Sequence, residues 1–96
     1  MSDVINKGVE ALGSKLSGGF SAGTAKFMVE DEGGIMIDGD GVRAGDEDAD
    51  VTLTASVDTF QAILEGDMDP TSAFMQGKLA VDGDMGLAMQ LGSALS

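Results

Sequence analysis

Ile5, Val9, Leu12 and Leu16 recur at helical spacing, while Asp3, Lys7, Glu10 and Lys15 fall largely on other faces. This spacing predicts an amphipathic helix. Gly8 and Gly13 weaken it by about 1 kcal/mol each, and Ser17-Gly18-Gly19 ends it. From Ala25 to Glu30 the period shortens to two, with Phe27 and Val29 on one side, as in a strand. Gly33-Gly34 predicts a hairpin turn into Ile35-Met36-Ile37-Asp38, and Gly39-Asp40-Gly41 a second turn into Val42-Arg43-Ala44. Beyond Asp46-Glu47-Asp48, residues 49–56 alternate again. Val51, Leu53 and Ala55 point one way, and Asp50, Thr52 and Thr54 the other. One dry face and one wet face are expected of an antiparallel sheet covered on a single side.

The second half reads as mostly helical. Ser56 caps a helix carrying Val57, Phe60, Ile63 and Leu64 on one stripe, with Gly66 at its end. Asp69-Pro70 is a start signal, an N-cap acid followed by a proline where no backbone donor is needed. The short helix it starts runs to Gln76 and stops at Gly77. Lys78 to Asp82 alternates as a last strand, Gly83 turns, Asp84 caps, and Met85 to Leu95 form the final helix. No internal repeat or flexible linker interrupts this order, so residues 1–96 read as one domain.

The final helix departs from the usual pattern of one apolar stripe. Met85, Ala88, Met89 and Leu95 form one stripe, and Leu87, Leu91 and Ala94 a second. No charge occurs from Gly86 to Ser96, and Gln90 is the one long polar side chain there. The second stripe needs a cover: other core elements, a partner chain or a bound lipid. Six methionines follow Met1, and four of them, Met68, Met75, Met85 and Met89, lie in the helical half. Methionine suits gap filling in a core and also surfaces that re-pack around varied apolar shapes.

Seventeen acidic residues against five basic ones give a net charge of −12. Without clustered Lys and Arg, nucleic acid is excluded as a partner, and attraction to anionic membranes is expected to be weak or absent. Histidine, tyrosine, tryptophan and cysteine do not occur, which removes the commonest general base and any thiol nucleophile. A calcium loop starting at Asp38 fails, because its fifth and sixth positions are Val42 and Arg43. Gly39-x-Gly41 leads into a strand instead of the helix N-terminus that a phosphate loop needs. No spacing singles out a catalytic carboxylate pair. The chain therefore reads as non-enzymatic, with no catalytic residue, metal site or cofactor. The acid-bearing opening residues resemble neither a secretory signal nor a transit peptide. Together with the absence of cysteine, this leads to the expectation of a cytoplasmic protein.

The stretch from Asp69 to Leu91, DPTSAFMQGKLAVDGDMGLAMQL, closely resembles the sterol carrier protein 2 domain. A typical sequence there runs P-x-x-A-F-x-Q-G-K-L-K-I-x-G-N-M-G-L-A-M-K-L-Q. Upstream, residues 49–54 followed by Phe60 and Gly66 fit the same family's strand–helix segment. The resemblance implies an α/β (α+β) fold with one five-stranded sheet and helices packed on one face. It also implies an apolar tunnel that takes fatty acids, fatty acyl-CoAs or sterol-like molecules. Carried over residue by residue, Phe74, Gln76, Met85, Leu87 and Met89 are the expected lining. Phe60, Leu64, Met75 and Gln90 complete the candidate lipid-binding set. Gln90 stands where lysine is common in the family, and Gly92 where glutamine is common. The implied function is carriage or presentation of a lipid by a monomer, with lipid-metabolising enzymes as possible partners. The alternative is an interaction module that docks its apolar final helix on a partner or on itself.

Overall fold

The computed structural model describes residues 3–16 and 19–95. Its elements follow the order α1 (Asp3–Lys15), β1 (Ala25–Val29), β2 (Gly33–Asp38), β3 (Gly41–Ala44), β4 (Val51–Ala55), α2 (Val57–Leu64), α3 (Pro70–Met75), β5 (Leu79–Gly83) and α4 (Met85–Leu95). Of the residues expected to end the first helix, Ser17 and Gly18 lie outside the described ones. Gly19 takes φ +81 and donates its N–H to the Leu16 carbonyl at 2.7 Å.

The strands form one sheet in the order β3-β2-β1-β4-β5. Its registers align Ala44, Ile35, Phe27, Leu53 and Val81 in one row across the sheet. Flanking rows bring Ile37, Ala25 and Val51 together, and Val29, Ala55 and Leu79. Apart from Ala44, which is exposed at the β3 edge, these side chains share a single core with Ile5 and Leu12 of α1, Phe60 and Ile63 of α2, Ala73 of α3, and Leu87, Leu91 and Leu95 of α4. All four helices therefore cover the same face. At its centre the Phe27 and Phe60 rings meet at 4.8 Å, tilted by 57°, a favoured aromatic geometry.

The sheet is mixed, where the alternation of β4 suggested an antiparallel one. β1 pairs antiparallel with β2 but parallel with β4. The physical reason is the route from β3 to β4. Residues 45–50 leave the β3 edge and cross the outer face of the sheet. Gly45 donates its N–H to the Gly34 carbonyl, Asp46 pairs with Lys26 Nζ at 2.8 Å, and the Glu47 N–H meets Met36 Sδ at 3.4 Å. Met36 is thereby buried on the far side from the helices.

That crossing also explains Gly34. A Cβ there would come within 2.5 Å of the Gly45 carbonyl oxygen and 2.7 Å of Met28 Sδ. The Gly33-Gly34 pair thus lies within β2 and does not form the hairpin turn. The turn is one step earlier, with Asp31 at φ +66 and the Glu32 N–H bonded to the Val29 carbonyl.

Candidate lipid groove

The C-terminal half builds an apolar groove from consecutive local signals. The Asp69 carboxylate accepts the Thr71 N–H at 2.7 Å, fixing the start of α3. Gly77 at φ +78 then turns the chain into β5. The Asp84 carboxylate accepts the Leu87 N–H at 3.2 Å and starts α4. α3 and α4 consequently rise side by side over β4 and β5.

Leu53, Leu79 and Val81 form the floor between them. Pro70, Thr71, Phe74 and Met75 make one wall, and Met85, Ala88, Met89 and Gly92 the other. The cavity measures about 240 Å³, somewhat below the roughly 300–1,000 Å³ of ordinary ligand pockets. A long ligand must project past the rim or push α3 and α4 apart. The Thr71 hydroxyl is the one polar side-chain group in the lining.

The mouth is apolar as well. Phe74, Met75, Met85 and Met89 are 43%, 80%, 45% and 69% exposed. Among the described residues these four are the large exposed hydrophobics, and all four line this groove. Contiguous exposed apolar surface is uncommon on a soluble domain and marks a place where something apolar binds.

Other candidate positions lie elsewhere. Phe60 is fully buried against Phe27, because its stripe on α2 faces the sheet. Leu64, one turn on, lines a separate cavity of about 290 Å³ between α1 and α2, beside Val4, Lys7, Ala11, Gln61 and Glu65. Leu87 is buried in the core beside Gly23. Two helical positions turn the side chain by roughly 200°, so Leu87 points away from the groove that Met85 and Met89 line. Gln76 and Gln90 are exposed and outside the lining. Sequence reasoning missed Leu53, Leu79 and Val81, although their inward alternation was visible. As lining it also missed Pro70, read only as a helix start, Ala88, read only as part of an apolar stripe, Gly92, read only as a departure from the family's glutamine, and Thr71, which gave no signal.

Charge is kept outside the groove. The Arg43 guanidinium, 2.8 Å from the Asp38 carboxylate, holds that carboxyl below its ordinary value and is itself raised. This pair lies at the β2–β3 edge, remote from β5. Among the described residues no cluster of three or more acids could hold a metal ion, and no helix is long and apolar enough to cross a membrane.

Residues 10–96 match the SCP-2 sterol transfer family. The chain belongs to this family. It is 52% identical over 46 residues to human sterol carrier protein 2, a match covering 48% of this chain and 8% of that protein. With bovine hydroxysteroid dehydrogenase-like protein 2 it shares 34% identity over 91 residues, 95% of this chain and 21% of the relative. The chain thus corresponds to a small part of these relatives' length. Among solved structures, the sterol carrier protein 2 of Aedes aegypti in complex with palmitate superposes with a TM-score of 0.77. That match has 21% identity and covers 100% of this chain and 97% of the other. The family fold is the one described above, a five-stranded sheet with helices on one face.

Proposed function

We propose that this chain shelters one long apolar molecule in the α3–α4 groove and carries or presents it, without performing chemistry on it. The carrying observation is the convergence of the four large exposed apolar side chains on one uncharged groove. The driving force is removal of methylenes from water, about 0.8 kcal/mol each. Ten methylenes supply roughly 8 kcal/mol gross, close to what micromolar affinity requires before ordering costs. The palmitate held by the Aedes aegypti protein of the same fold supports an acyl chain as a suitable occupant. Matches inside a dehydrogenase-like protein and a peroxisomal multifunctional enzyme support presentation to lipid-metabolising enzymes as a working context.

Titration with a fluorescent acyl analogue tests the proposal. Saturable binding of one probe per chain, competed by unlabelled lipid, is expected. The absence of saturable binding at any chain length, with the protein folded and monomeric, overturns it. A stable dimer that buries Met75 and Met89 would favour docking of the same apolar mouth on a second copy.

A further inference from the structure

Resting on the carrier reading, we propose that the groove is an oxidation-controlled site: a hydroperoxide converts the methionines of its walls to sulfoxides and weakens lipid binding without unfolding the protein. The six methionines after Met1 divide by their surroundings. Met75, Met85 and Met89 are exposed, and all three line the groove. Met36 is buried under the crossing of residues 45–50, where its sulfur meets the Glu47 N–H. Met28 and Met68 are half-buried, and neither belongs to the lining. Among the described residues, every exposed methionine thus stands at the binding surface. A peroxide must reach the sulfur it oxidises, so exposure ranks the six. The chain holds no cysteine, histidine, tyrosine or tryptophan to intercept the oxidant first.

The step balances with the peroxide alone. The thioether sulfur attacks the terminal oxygen of a hydroperoxide and the O–O bond breaks. That oxygen stays on sulfur, and its proton passes to the departing oxygen, which leaves as water or an alcohol. Sulfur is oxidised by two electrons and the peroxide is reduced by two. The product is a polar sulfoxide on a formerly apolar side chain. Three sulfoxide oxygens then share a lining whose one polar side-chain group is the Thr71 hydroxyl. A bound alkyl chain must strip water from the other oxygens, which costs free energy when no hydrogen bond replaces it. If the oxidised side chains turn out to solvent instead, the chain loses its apolar wall. The fold has little stake in either outcome. The helices fix themselves through Ala73 of α3 and Leu87, Leu91 and Leu95 of α4, and the core contains none of the three wall methionines.

The test uses the full chain, a fluorescent acyl probe and hydrogen peroxide. Peptide mass spectrometry should find sulfoxide at Met75 and Met89 first, at Met85 next and at Met36 last. With the three wall methionines oxidised, the probe should bind at least about tenfold more weakly, while the denaturant midpoint stays almost unchanged. Reduction by the two epimer-specific methionine sulfoxide reductases should restore affinity, and this arm needs no variant. In the triple variant Met75→Leu, Met85→Leu and Met89→Leu, the ratio of untreated to peroxide-treated affinity should fall to within about twofold, whatever the starting affinity. The reason is that Met28, Met36 and Met68 lie off the groove. Unchanged affinity with all three sulfoxides formed, a collapsed midpoint, or an equal loss in the triple variant overturns the inference. So does a loss that persists once the sulfoxides have been reduced, or oxidation of Met36 ahead of the wall. An untreated protein that binds no probe removes the carrier reading itself, a result distinct from all of these.

Discussion

Leu87 and Met89 stand two positions apart on α4 in opposite surroundings. Leu87 is 8% exposed and packed beside Gly23, whereas Met89 is 69% exposed on the groove wall. Leu87→Asp places an unpaired carboxylate in the core and should cost about 3–5 kcal/mol, read as a collapsed denaturant midpoint. Met89→Asp should leave the midpoint almost unchanged. Its carboxylate must be desolvated beside a bound alkyl chain, so affinity for an apolar probe should fall tenfold or more. Comparable losses of stability in both variants would place Met89 in the core instead.

Gly92 offers the reverse experiment. A Cβ there meets Pro70 Cβ and Thr71 Oγ1 at 3.8 Å, an ordinary contact. Gly92→Ala should therefore stabilise α4 by up to about 1 kcal/mol through helix propensity. The added methyl enters the groove, so affinity for a bulky ring-bearing probe should fall more than affinity for a slim alkyl chain. Thermal melts and paired titrations check both effects.

Phe60 anchors the core. Phe60→Ala should cost roughly 3–5 kcal/mol by leaving a cavity beside Phe27. Gly8 is coupled to it, since a Cβ at Gly8 would come within 2.6 Å of the Phe60 ring and 2.7 Å of Ile35 Cδ1. Gly8→Ala should destabilise the native protein despite its better helix propensity, and the loss should shrink in a Phe60→Leu background. A double-mutant cycle in denaturant measures the coupling.

Asp38 has its folded-state pKa lowered from 3.8, chiefly by its hydrogen bond with Arg43. The sign follows from linkage. A depressed carboxylate contributes stability that is present above its unfolded value and lost as pH falls through the lowered folded value. Arg43→Gln should thus lower the urea midpoint slightly at neutral pH, and the difference from the native protein should vanish in strong acid. The pair is exposed, so added salt should also diminish it. A difference that grows in acid would contradict this assignment.

Nine acids and one base, Arg43, lie between Glu30 and Asp50. Transfer of a bound probe to vesicles should be no faster when the vesicles are anionic, and should speed up as salt screens the repulsion. A transfer rate that climbs with anionic lipid and falls with salt would reveal a basic docking surface.

Local chemistry made the C-terminal half legible from sequence. Asp69-Pro70, Gly77 and Asp84 each act within a few residues, and α3, β5 and α4 begin and end close to where those signals put them. The two apolar stripes of α4 were legible too: Met85, Ala88 and Met89 line the groove, while Leu87 and Leu91 enter the core. Which stripe met which partner was not legible, because Leu87 and Met89 are both apolar and periodicity carries no direction. Leu95, grouped by spacing with the methionines, packs into the core instead. The parallel pairing of β1 with β4 was equally hidden. Alternation at Val51, Leu53 and Ala55 reports which side is buried, whatever the direction of the neighbouring strand.

The crossing of residues 45–50 has a consequence for the order in which the molecule is made. It divides the chain into a β1–β3 meander that can pair as soon as it is synthesised and a later half that must dock on β1. Every groove residue, from Leu53 to Gly92, belongs to that later half. A ribosome finishing the meander has produced no part of the binding surface. A cargo molecule therefore cannot be enclosed in this groove before β5 and α4 have been made. On the carrier reading, loading waits until β5 and α4 have closed onto the sheet.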